Sequence, residues 1–225
     1  MNIKNEMNKQ ACINTVSCAV KEILACIPEI NAIANISKKI YLEQKNRKLR
    51  DFFCAYALKR EMKHLTEDDI REFSQKCSNP ETESVINDIL DSVIFSGSHK
   101  SRFVLGIIAG NLLRNNGLDY EDMILIRALK DLLDEELERF LFFCTVRPND
   151  GMNGVSLLED CHRKDFLIME KLQNLGIFSR DLSIRFDIKN TELRFLQTDI
   201  SRRLHEYLED PIVNSAEAVE CSPKD

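Results

Sequence analysis

The sequence predicts a mainly α-helical fold, a multi-helix bundle closed by a small C-terminal module of helix, two strands and helix. Three observations carry this. Apolar residues recur at helical spacing through most of the first 146 residues. Turn residues are scarce, seven Gly and five Pro in 225 residues, which is few for an all-β chain. Near the C-terminus a helical pattern from Phe166 breaks at Gly176 and gives way to the apolar pair Ile177-Phe178. The chain then passes from strand to helix between Leu193 and Leu208, with Thr198 at the junction. That order is the outline of a winged-helix-like module containing a small β-hairpin, its strands expected within residues 176–197.

Each element has its own local reason. Ile13, Val16, Val20, Ile23 and Leu24 predict an N-terminal helix over residues 8–26. Pro28 interrupts it and suits the first turn of a long helix over residues 28–63. Its apolar stripe lapses at Glu43–Lys48, where the helix is either solvated or bent. Thr66-Glu-Asp-Asp69 predicts a capped short helix that stops by Cys77. Pro80 opens the next, which ends at Ser96-Gly97-Ser98. Phe103–Leu113 is apolar nearly all round, and Gly106, Ala109 and Gly110 allow a close helix neighbour, so it reads as the central core helix. Asp119 is expected to cap a helix through Leu133, and Asp134–Phe143 forms another. The division that follows is a helical domain over 1–146, a Pro/Gly/Asn-rich linker over 147–155 and the winged-helix-like module over 156–208. Ser156 is expected to cap the module's first helix, and residues 209–225 to form a flexible tail.

Apolar residues make up 44% of the chain, enough to bury a core, and the net charge of −6 disfavours a general nucleic-acid coat. The eight cysteines (Cys12, Cys18, Cys26, Cys54, Cys77, Cys144, Cys161, Cys221) show no zinc spacing and mostly lie in apolar runs. They read as small core residues in a reducing, cytoplasmic compartment, with no disulfide and no metal. The apolar stretch Ala11–Ile27 contains Lys21-Glu22 and is too polar and too short to span a bilayer or to act as an export signal.

No nucleotide-binding loop, zinc-protease motif or nucleophile elbow is present. His64, His99, His162 and His205 stand apart, and Cys161-His162 cannot form a dyad, since adjacent helical residues diverge by about 100°. No catalytic, cofactor-binding or metal-ligating residue is therefore assigned. Two charge blocks remain. Lys38, Lys39, Lys45, Arg47, Lys48 and Arg50 face only Glu43, while eight acids between Asp119 and Glu138 face only Arg127 and Lys130. Acids at helix N-termini are favoured by the dipole, and that reading outweighs a Mg²⁺ site. Lys38, Lys45, Arg47, Lys48 and Arg50 are the candidate interaction surface, together with Asp134, Glu135 and Glu136, the two blocks meeting across a subunit or domain interface. Residues 156–208 carry nine basic and nine acidic side chains, which favours protein docking; Arg202 and Arg203 carry the minority reading of DNA contact.

The order of a proline-led helix with a basic middle, Leu65-Thr-Glu-Asp-Asp69, a Gly-containing apolar helix and an acidic helical pair leads to Leu175-Gly-Ile-Phe178 and Leu196-Gln-Thr-Asp199. Over residues 28–208 it resembles small helical bacterial and prophage proteins such as the abortive-infection alpha family. Gly176 and Thr198 match; the glycine that follows the threonine in the family is replaced by Ile200-Ser201. The resemblance implies a phage–host conflict setting and supplies no catalytic residue. The expectation is a non-enzymatic protein-binding protein, a homo-oligomer with a protein partner. The alternatives are a DNA-binding regulator and a metal-dependent hydrolase or nuclease.

Overall fold

The computed structural model describes residues 35–60, 68, 71, 73, 75, 80–115, 117–145, 154–157, 163–181 and 193–213. The helix expected over residues 8–26 lies outside them. Among the described residues five helices with complete bounds lie in the body: α1 (Asn35–Lys59), α2 (Pro80–Phe95), α3 (His99–Asn115), α4 (Tyr120–Asp131) and α5 (Asp134–Thr145). The C-terminal part runs β1 (Gly154–Leu157), α6 (Arg163–Asn174), β2 (Phe178–Arg180), β3 (Leu193–Gln197) and α7 (Asp199–Glu209). The architecture is mainly helical with one small antiparallel sheet.

α3 is the central helix, with every residue from Ser101 to Gly110 buried. Its glycines set its distance from α1. A Cβ on Gly106 would lie 2.3 Å from the Phe52 carbonyl oxygen and 2.8 Å from Ala55 Cβ, and one on Gly110 would lie 3.1 Å from Lys59 Cβ. The two helices run parallel, Asp51 level with Arg102 and Lys59 level with Gly110. α1 also presents Phe52, Phe53 and Tyr56, which meet Phe73 edge-on at 5.3–6.3 Å, an arrangement the ring quadrupole favours. Phe73 is helical, as are Asp68, Arg71 and Gln75; the rest of the short helix expected there lies outside the described residues. α1 is unbroken through Glu43–Lys48 and ends at Lys59, four residues before its expected limit.

The remaining body helices follow the expected order with shifted ends. α2 begins at Pro80, whose missing N–H costs nothing in the first turn. α4 stops at Asp131, because Leu132 turns to extended backbone at φ −85°, ψ 140°. Asp119 occupies the N-cap position yet makes no side-chain cap. α5 runs to Thr145, two residues past expectation.

The C-terminal part corrects the sequence reading at its start. Gly154–Leu157 is a strand, so Ser156 caps no helix, and α6 begins only at Arg163. β1 pairs antiparallel with β3 (Gly154 opposite Leu196), and β2 pairs with the other edge of β3 (Phe178 opposite Gln197). The sheet is three-stranded in the order β1-β3-β2, and its first strand lies outside residues 176–197. The missed strand is four residues long and takes its partner from some 40 residues downstream, a pairing that local periodicity does not report.

Both ends of the β2 region are closed as the sequence implies. Gly176 stands at φ 77°, where Ile177 N donates to Leu172 O and Gly176 N to Gln173 O, each at 2.9 Å. That is the paired bonding of a glycine helix stop. Thr198 Oγ1 accepts from Ser201 N, Ser201 Oγ accepts from Thr198 N, and the threonine hydroxyl donates to Ile177 O at 2.7 Å. One residue thus caps α7 and ties it to the entry of β2.

The buried apolar residues form one cluster, from Leu49 through Phe140 and Phe178 to Val213. Body and module share this core across the 147–155 stretch. The first residues of the expected tail are held on the body: Asp210 accepts from Lys59 Nζ at 3.0 Å, and Val213 is buried, while residues 214–225 lie outside the described set.

Candidate functional site

The chemistry-bearing side chains gather in two places, a seam between the body and the C-terminal part and a node at the first turn of α3. The seam is centred on Asp122, which is 2% exposed. Its carboxylate accepts from Tyr207 OH at 2.8 Å and from Arg203 Nε and Nη2 at 3.2 and 3.4 Å. Arg203 Nη2 also donates to Asp119 at 3.0 Å, and Asn111 Nδ2 donates to Tyr207 OH. The hydrogen bond to Asp122 raises the Arg203 pKa, and burial followed by the Asp122 charge raises that of the Tyr207 phenol. Both α7 groups therefore stay in the protonation state that donates to Asp122.

Further along the seam, α5 meets α6. Arg139 donates to both oxygens of Asp165, Nε at 2.7 Å, and its guanidinium lies over the Phe142 ring at 4.7 Å. The Asp165 hydrogen bond raises the Arg139 pKa. Lys171 Nζ reaches both oxygens of Glu136 and the Asp131 carbonyl at 2.7–2.8 Å, and Lys164 pairs with Glu135.

At the node, Asp134 caps the start of α3 from another helix. It accepts from Ser98 Oγ at 2.6 Å and from the backbone N–H of His99 and Lys100 at 3.0 Å each. Burial opposes its ionisation, but these bonds outweigh burial and hold its pKa below the usual carboxylate value. Beside it Asp51 takes Arg102 at 2.9 Å, with His99 Nε2 at 3.5 Å. Lys48 Nζ donates to Ile94 O in the last turn of α2, and burial, then the Arg102 charge, lowers its pKa.

The residues singled out in sequence are thereby placed. Lys38 lies in α1, and its side chain is outside the described set. Lys45 covers the Tyr41 ring at 4.6 Å, Arg47 is exposed and Arg50 half-buried. Asp134 finds its donors at the start of α3 while Glu135 and Glu136 find theirs on α6, so among the described residues the acidic segment is shared between the body and the C-terminal part. Arg202 pairs with Asp199 of its own helix, and Arg203 is held by Asp122 and Asp119, which takes it away from the DNA-contact reading.

Sequence reasoning missed Asp51, Arg102, Asp122, Asp165 and Tyr207. The signal was there for two of them: Asp122 is in phase with Leu125, Ile126 and Leu129, and Asp165 with Ile168, Met169 and Leu172. A charge in phase with an apolar stripe marks a buried pair.

Among the described residues no group of three or more His, Cys, Asp or Glu could hold a metal ion, and no helix is long and apolar enough to cross a membrane. Burial, then the Glu209 charge, pushes the Cys144 thiol pKa up to about 12, far from a reactive thiolate. No family model matches the chain, and neither a curated protein nor a solved structure matches it.

Proposed function

We propose that this chain is a non-enzymatic protein-binding protein whose C-terminal part is a winged-helix-like module docked on the helical body. The strand order β1-β3-β2, with α6 between β1 and β2, supports the module reading. One observation carries the functional reading. Three of the module's nine cations, Lys164, Lys171 and Arg203, are engaged by Glu135, Glu136, Asp119 and Asp122 of the body. A DNA reader needs such cations turned outward to displace counterions. The thiols of Cys54 and Cys144 suit a cytoplasmic setting, and the resemblance drawn from sequence supports a role in phage–host conflict.

The test is a gel shift of duplex DNA with the full chain at low and high salt. No retardation at low salt is the expected result. A shift that weakens steeply with salt would overturn the proposal in favour of a DNA-binding regulator. Phage plating efficiency on cells with and without the chain tests the setting, and an unchanged efficiency over a broad phage panel would remove it.

A further inference from the structure

α6 packs by one face, with Asp165, Ile168, Met169 and Leu172 buried against the rest of the chain. Its opposite face repeats at i, i+4, i+7 and i+11: Arg163, Leu167, Glu170 and Asn174, all exposed, with Leu167 at 53%. An apolar side chain thus stands in the middle of a solvent-facing stripe, a cation one turn before it and an anion one turn after. Lys164 is held by Glu135, whereas Arg163 and Glu170 make no ion pair among the described residues.

Such a stripe is its own complement under a two-fold rotation. Laid antiparallel on a copy of itself with Leu167 over Leu167, each chain brings Arg163 to within one residue of the level of Glu170 on the other. A two-fold contact demands this reciprocity, in which residue i meets j and j meets i. We propose that the exposed face of α6 is a self-association surface, pairing two copies of this chain as antiparallel helices about Leu167 with an Arg163–Glu170 ion pair on either side. Glu170 makes the same face a poor match for phosphates. The contact does not depend on the protein-binding role, since it needs only a second copy. α6 has 12 residues and is about 18 Å long, so the area is small and the pairing is of the weak, reversible class.

Sedimentation equilibrium of the full chain, from low to high micromolar, is the test. A monomer–dimer equilibrium is expected, weakened roughly tenfold or more by Glu170→Arg alone or by Arg163→Glu alone. Mixed together, these two variants should pair with each other about as well as the wild type pairs with itself, because one native ion pair is kept and the other is restored with inverted sign. Leu167→Asp should leave a monomer. All three positions are exposed, and circular dichroism melts confirm that the variants are folded. If Leu167→Asp melts early, the charge-swap mixture decides alone. A monomer at every concentration, a dimer indifferent to both reversals, or a mixture no tighter than its components would overturn the proposal. The gel shift reads DNA and this experiment reads the chain alone, so the two proposals fail separately.

Discussion

The contact of α1 with α3 and the contact of α4 with α7 both hold two helices together, by opposite means. The first is steric. Gly106 lets the backbone of α1 approach until no Cβ could fit, and the surrounding contact is aromatic and aliphatic apart from one buried ion pair, Asp51–Arg102. The second is electrostatic. Asp122 is buried as a charge and depends on Arg203 and Tyr207 arriving from the last helix. Apolar packing accepts approximate partners, whereas a buried carboxylate accepts only donors at the right places. Shape therefore dominates the α1–α3 contact and matched charge the α4–α7 contact.

The largest effect should come from breaking the steric contact. Gly106→Val places new carbons against the Phe52 carbonyl and is expected to cost more than about 4 kcal/mol, or to abolish folding, in urea unfolding. Gly110→Ala, whose Cβ would lie 3.1 Å from Lys59 Cβ and 3.7 Å from the Tyr56 carbonyl oxygen, should be milder.

The electrostatic contact should break less severely but in a more informative way. Asp122→Ala is expected to cost about 1–3 kcal/mol, because the buried Tyr207 hydroxyl loses its acceptor while Arg203, partly exposed, keeps Asp119. A double Asp122→Leu, Arg203→Met chain should recover much of that loss, since an apolar pair of similar volume often replaces a buried ion pair at little cost. A double variant no more stable than Asp122→Ala would show that α7 is held by something other than this match.

Asp134 sharpens the comparison, because it joins the body's own helices by charge. Asp134→Ala should cost about 1 kcal/mol, as for other caps. Its pKa is depressed in the folded chain, so its contribution is present above the unfolded carboxylate value near about 4 and is lost as pH falls through the folded value. Unfolding curves of the wild type and of Asp134→Asn should accordingly differ at neutral pH and converge in acid. Convergence on the alkaline side instead would reverse the assignment.

The smallest effect is expected on the outer face of α1, where Arg47 is exposed and Lys45 lies over the Tyr41 ring. Lys45→Glu with Arg47→Glu should change stability by no more than about 0.5 kcal/mol. Lys48 should be left out of that pair, because it bonds the last turn of α2.

This ordering also says what could be read from the sequence. The steric half was legible: Gly106, Ala109 and Gly110 inside an apolar run announce a close helix neighbour, and Pro80, Gly176 and Thr198 mark their boundaries by local chemistry. The charge half was legible only as two blocks of opposite sign. Block counting pairs Lys38–Arg50 with Asp119–Glu138, yet partners are chosen by position in three dimensions. The acids answer Lys164, Lys171 and Arg203 because α6 and α7 lie on α5 and α4. β1 escaped notice for the same reason: its partner is remote, and four residues are too few to show a period.

The strand order has a consequence for the order of events during synthesis. β3 lies between β1 and β2, so both earlier strands leave the ribosome with no partner to pair with. The chain must reach β3, from Leu193 on, before any ladder of this sheet can form, and Tyr207 before Asp122 gains both its donors. The body, by contrast, holds its α1–α3 contact once residue 115 has emerged. A nascent chain stalled between those points carries a formed bundle with an open seam, a bare carboxylate at its centre and two unpaired strands. Completion of the last helix is therefore the step that turns a partly folded intermediate into a closed molecule.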